Sequence, residues 1–144
     1  MRRTLQILLI ALFALTSVSA LAAEQKTTRK QRKALEETQV KYDATMRWGT
    51  VEDALPYLDP EYAKAHPMTD LELRRFEQVK ISSYRAGDNV PMPDGRVGRT
   101  AEVRVINNNT QSERTVRVRE IWRWDAVDKR WLQANGLPDL WQDR

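Results

Sequence analysis

The chain has 144 residues, with 24 Lys and Arg against 20 Asp and Glu, one His and no Cys. That is one domain's worth of chain; it excludes disulfides, thiolate metal sites, Cys nucleophiles and an acylated lipoprotein Cys, and a lone His excludes His-pair zinc sites. A pI near 9.6 points toward nucleic acid only if the charge lies on the folded part.

Residues 1–22 read as a secretory signal. Arg2 and Arg3 form a positive start, Leu5 to Leu15 is an apolar run broken only by Gln6, and Ala20-Leu21-Ala22 is a small-x-small cleavage site. The run is shorter than the roughly 20 residues a bilayer-spanning helix needs. The expectation is a periplasmic or secreted protein with no stable membrane span, cleaved near Ala22. Residues 23–33 carry Lys26, Arg29, Lys30, Arg32 and Lys33 against Glu24, and read as a basic flexible arm passing into a helix. Without signal and arm, residues 34–144 hold 17 basic against 19 acidic side chains, so the domain is slightly acidic and a nucleic-acid partner is not expected.

From Ala34 the apolar period is helical. Leu35, Thr38, Tyr42 and Met46 form a stripe that Val40 and Ala44 widen, and Trp48-Gly49 ends it. Thr50 with Asp53 is a capping box for a short helix that Pro56 disturbs. Asp59-Pro60 restarts a helical turn, His66-Pro67 stops it, and Thr69 with Glu72 caps a third short helix through Phe76. The period then changes to two: Val79, Ile81 and Ser83 alternate with polar residues. A loop covers 91–95. Val97, Ala101, Val103 and Val105 share one strand face with Arg99, and Asn107 to Asn109 turn the chain. Val116, Val118, Trp122 and Trp124 share the next face with Glu120. Asp125 to Lys129 is a hairpin turn and Trp131 to Asn135 the last strand. Helices followed by an antiparallel meander of about four strands predict an α+β domain over 34–144, its helices covering one sheet face.

Charge and apolar alternation select the register. Trp124 faces Trp131, Asp125 faces Arg130, Trp122 faces Gln133 and Glu120 faces Asn135. Val103 faces Val116, Ala101 faces Val118, Arg99 faces Glu120 and Glu102 faces Arg117. The covered face then contains a polar island of Arg99, Glu120, Gln133 and Asn135, framed by Trp122 and Trp124. Isolated buried charge is strongly unfavourable, so Arg99 and Glu120 read either as a pocket floor or as a structural bridge. Glu120 could act as acid or base with Asp43 or Tyr42 as partner. Arg117, Arg119 and Arg123 lie on the other face, as an interaction surface or a solvated one. His66 lacks a second His, and Ser82-Ser83 lacks a base, so neither a metal site nor a catalytic nucleophile is expected.

The long helix, the short helices, and strands ending in Val116-Arg117-Val118-Arg119-Glu120-Ile121-Trp122-Arg123-Trp124-Asp125 followed by Lys129-Arg130-Trp131 resemble the nuclear-transport-factor-2-like (cystatin-like cone) superfamily over about residues 34–138. The resemblance implies a curved sheet wrapped around the long helix, with a pocket at the cone's mouth. It also implies a choice between small enzymes and non-catalytic binding or dimerisation modules. This chain lacks the Asp–His pairs and Asp-Arg-Asp arrangements that some enzymatic members use, which lowers the enzyme reading. The expected function is binding of a small amphipathic ligand or an envelope protein, as a homodimer and without a cofactor. Arg99, Glu120, Gln133 and Asn135 would orient the ligand, and Tyr42, Trp122 and Trp124 would pack on it. The alternatives are a small hydrolase or isomerase using Glu120, and an interaction subunit using the arginine face.

Overall fold

A threonine opens the first helix. Thr28 accepts from the Gln31 backbone N–H while the Gln31 side chain takes the Thr28 N–H, and α1 (Arg29–Trp48) follows. The computed structural model describes residues 27–141; the expected export signal and the start of the basic arm lie outside the described residues. Arg29, Lys30, Arg32 and Lys33 are therefore helical, in the exposed first turns of α1.

Leu35 and Tyr42 bury the inner stripe of α1, but its width is not the expected one. Val40 and Ala44 face solvent, and Gln39 is buried instead. An amide can replace an apolar residue there because Asn89 meets it in a reciprocal pair, at 2.8 and 2.9 Å, which gives both its nitrogen and its oxygen a partner. Gly49 closes α1, and its N–H donates to Thr45 O. The Thr50–Asp53 box starts α2 (Val51–Ala54), and Pro56 turns its continuation into a 3-10 turn over Leu55–Tyr57. Asp59 caps α3 (Pro60–Ala65), and the Thr69–Glu72 box caps α4 (Asp70–Glu77).

The strands are β1 (Val79–Ala86), β2 (Val90–Pro91), β3 (Val97–Asn107), β4 (Glu113–Asp125) and β5 (Arg130–Gln133). They pair antiparallel in the order β1-β3-β4-β5, and the two residues of β2, the second at the start of the expected loop, pair with Gly98 and Val97 of β3. Helices on one face of this curled sheet, a half-barrel, make the architecture α+β and cone-like. The core joins Leu35 and Tyr42 to Val103, Val105, Val116 and Trp122. Trp131 Nε1 donates to Gln31 O at 2.8 Å, tying β5 to the start of α1.

The register of β3, β4 and the last hairpin is the expected one from Arg99↔Glu120 to Val103↔Val116 and from Trp122↔Gln133 to Asp125↔Arg130. Two details differ. β1 carries a bulge between Ile81 and Ser83, so Ile81 and Tyr84, three residues apart, both face inward, and Ser83 leaves the face that simple alternation assigns it. β5 stops at Gln133, so Glu120 has no ladder partner in Asn135. The Asn135 side chain substitutes for the ladder: Oδ1 accepts from Ile121 N–H and Nδ2 donates to Arg119 O.

Gly136, just beyond, has φ +79, and a Cβ there would come within 2.5 Å of the Tyr62 ring. Left-handed backbone and steric overlap act together. Gly136→Ala is expected to lower unfolding free energy by about 2–4 kcal/mol, measured by urea denaturation. A loss below about 1 kcal/mol, the scale of ordinary substitutions, would contradict the crowding.

Candidate functional site

The polar island forms, but as a closed network. Arg99 and Glu120 are opposite each other on β3 and β4, and both are buried. Arg99 Nε donates to Glu120 Oε2 at 2.7 Å, and Nη2 donates to Oε1 at 3.2 Å. Trp122 Nε1 donates to Oε2 at 2.8 Å, and the Tyr84 hydroxyl donates to Oε1. Four donors fill the acceptor sites of this carboxylate. Glu120 itself is wholly buried, so it has neither a free lone pair nor an open side.

Arg99 continues to α1, where its Nη atoms donate to the two Asp43 oxygens. One guanidinium thus bridges two carboxylates. The fold builds a carboxylate–arginine–carboxylate arrangement, Asp43–Arg99–Glu120, which corrects the expectation that the chain lacks such a grouping; its members are 21 and 56 residues apart, so no local pattern joins them. The cluster has one negative charge in excess. Asp43, whose side chain is 25% exposed, is where that excess is least unfavourable. Burial drives its carboxyl up, Arg99 draws it down and Glu120 adds to the rise, leaving it at about 6. Burial, then Tyr42 and Glu120, keeps the Tyr84 hydroxyl protonated far above its ordinary range. Burial opposes the charge on Arg99, but the bonds to Glu120 and Asp43 outweigh it and raise its pKa.

The other expected site residues divide. Tyr42 and Trp122 belong to the cluster, their rings edge-on at 5.3 Å, and the Tyr42 hydroxyl is buried without a partner. Gln133 sits beside Trp122 in the ladder, buried, with Oε1 unpartnered. Trp124 packs edge-on to Trp131 at 5.6 Å, and Asn135 serves the backbone. Tyr84 and Asp43 complete the network. Tyr84 was hidden by the bulge; Asp43 was legible only as one partner for Glu120 among two.

The arginine face is also partly occupied. Asp59 binds Arg123 through both oxygens, and that bond chiefly holds its carboxyl below the ordinary range. Arg117 faces Glu102 at 3.3 Å, leaving Arg119 the exposed member without such a partner among the described residues. His66 stacks on Tyr62 at 4.4 Å.

Two clefts lie away from the network. A cleft of about 390 Å³ opens between the end of α1, the α1–α2 corner, the end of α4 and the start of β1, with residues 137–140 closing it. Met46, Val51, Phe76, Ile81 and Leu140 give it an apolar lining, and Arg47, Glu52, Glu77 and Lys80 bring charge to it. Beyond Phe76 and Leu137 a second cleft of about 280 Å³ is lined by Tyr62, His66 and Trp141. Neither of these two clefts includes Asp43, Arg99 or Glu120. A third, more open depression of about 410 Å³, lined by Val90, Met92, Gly98, Thr100 and Arg119, does reach Arg99. Trp48, next to Arg47 in the chain, is 71% exposed. Among the described residues no helix is long and apolar enough to cross a membrane, and no group of three or more potential metal ligands forms.

Two outcomes follow from the network. Removing Arg99 strands two carboxylates, so Arg99→Met is expected to destabilise the fold by about 3–5 kcal/mol in urea denaturation. Asp43 has a folded pKa above its unfolded value near 3.8, so the native state binds more protons between about pH 4 and 6. Its contribution is complete below that window and disappears as pH rises through about 6. Wild-type urea midpoints should therefore fall, relative to Asp43→Asn, from pH 4 to 7; parallel profiles would show that Asp43 does not titrate there.

No family model matches the chain, and neither the curated proteins nor the solved structures supply a match.

Proposed function

We propose that this is an exported binding module of the nuclear-transport-factor-2-like type, which holds a small amphipathic molecule without transforming it. The observation behind this reading is the cleft at the end of α1. Its volume of about 390 Å³ falls within the range of small-molecule sites, and apolar side chains from α1, α2, α4, β1 and the 137–140 segment converge on it beside the charged Arg47, Glu52, Glu77 and Lys80. Such a lining takes the apolar body of a ligand, and the charged margin orients its polar end. The Glu120 network supports this by what it does not offer. A general base needs a lone pair within reach of substrate, and Glu120 spends both oxygens on Arg99, Trp122 and Tyr84. Glu120 ties β1, β3 and β4 together, Arg99 holds them to α1 through Asp43, and the ligand binds next to that support rather than on it.

One observation favours a catalytic alternative. Asp43 is partly exposed, bonded to Arg99 and has its pKa raised to about 6, within the range where a carboxyl exchanges protons near neutrality. A hydrolase or isomerase reading would therefore assign the proton transfer to Asp43, with Arg99 holding it.

Native mass spectrometry of protein taken from the compartment to which it is exported separates these readings. The wild type should release a bound small molecule on activation. Val51→Trp, which fills the cleft, should release none, while Arg119→Glu on the opposite sheet face should leave the ligand in place. A ligand retained equally by Val51→Trp would sink the cleft as the binding site. Loss of the ligand in Asp43→Asn with its retention in Val51→Trp would favour the alternative.

A further inference from the structure

The cleft at the end of α1 is lined by four charged side chains that form no ion pair among the described residues, and one of them is not exposed. Arg47 lines it from the last turn of α1 and is half-buried. Its Nε is out of reach of solvent and has no hydrogen-bond partner. The ion pairs among the described residues involve other side chains, including the arginines at 99, 117 and 123. A buried N–H without an acceptor is unfavourable in a native protein and rare for that reason.

Arg47 is nonetheless held in place. Its guanidinium carbon lies 4.7 Å from the centroid of the exposed Trp48 ring, which limits the rotamers of a long side chain. A planar, permanently charged fork restrained beside an apolar lining is suited to accept a carboxylate or phosphate oxygen. Lys80, Glu52 and Glu77 stand at the margin, all three exposed, where water screens them. The half-buried charge of the cleft is thus positive.

We propose that the cleft takes an amphiphile with an anionic oxygen head, the head held by Arg47 and the apolar body lying among Met46, Phe76 and Ile81. The inference rests on the cleft reading above and adds the sign of the ligand's charge. Seating the head requires a small turn of the guanidinium, so that Nε–H and one Nη face the same pair of oxygens. Position at the helix C-terminus would also place a cation here for the macrodipole alone, and that role needs neither an apolar cleft nor an unfilled donor.

The test is isothermal titration of the full chain with three ten-carbon probes: decanoate, decanol and decyltrimethylammonium. Decanoate should bind about tenfold or more tightly than decanol, the value of one charge-assisted hydrogen bond, and decyltrimethylammonium more weakly still. Arg47→Gln, with folding checked by circular dichroism, should bring decanoate to the level of decanol and leave decanol unchanged. Equal binding of decanoate and decanol by the wild type would overturn the anionic head while the cleft stands. A decanoate preference that survives Arg47→Gln would overturn the role of Arg47. No binding of any probe would overturn the cleft and this inference together. The wild-type comparison needs no variant, so a poorly folding Arg47→Gln leaves the charge preference testable.

Discussion

Glu120 is a carboxylate at the covered face of a sheet, and the charge it carries there must be compensated. Arg99 compensates it across the strand pair, and the indole of Trp122 and the hydroxyl of Tyr84 fill the remaining acceptor sites. Arg99 then has Nη atoms to spare, and Asp43 on α1 takes them. One guanidinium therefore links β3, β4 and the long helix, while Tyr84 brings in β1. The packing of α1 on the sheet is set by directional bonds as well as by the apolar stripe. A helix sliding along its groove would lose the Asp43 contact and leave a charge stranded. That is one answer to building a stable cone without disulfides.

The same network explains why ligand space is displaced from the middle of the half-barrel. The centre is filled by the buried side chains of Tyr42, Tyr84, Trp122, Arg99 and Glu120. Space appears where α1 ends and the chain turns at Gly49 into α2. There the short helices and the 137–140 segment cover the sheet incompletely. Rigidity at the centre and incomplete cover at one end are complementary features. The network fixes the position of α1, and α1 carries Arg47 and Met46 to the cleft.

Local signals were legible wherever one short segment contains the whole interaction. The Thr50–Asp53 and Thr69–Glu72 boxes, and Asp59 before Pro60, started helices where they were read, because a cap involves residues within one turn. The central register was legible because a one-residue slip would invert every side chain of a strand with one buried face. The misreadings have a common cause. Gln39 displaced Val40 from the core because Asn89, 50 residues away, satisfies its amide. Tyr84 was lost because an extra residue in β1 shifts the alternation without a Gly or Pro to mark it. Asn135 seemed to belong to the last strand, yet its side chain serves the ends of backbone bonds on β4.

By itself the sequence determined the α+β class, the order of the helices, the pairing of β3 with β4 and the meeting of Arg99 with Glu120. Each follows from periodicity, caps or charge within a few neighbouring residues or across one hairpin. It also located the basic excess in the N-terminal segment, since counting charge requires no coordinates. Only the tertiary structure decided that Glu120 is sealed, that Arg99 is shared with Asp43, and that the open cleft lies beside Arg47. Those outcomes depend on how a helix and a curled sheet meet in space. Cavities and shared donors are properties of that meeting, formed by residues distant in the chain, and no local pattern encodes them.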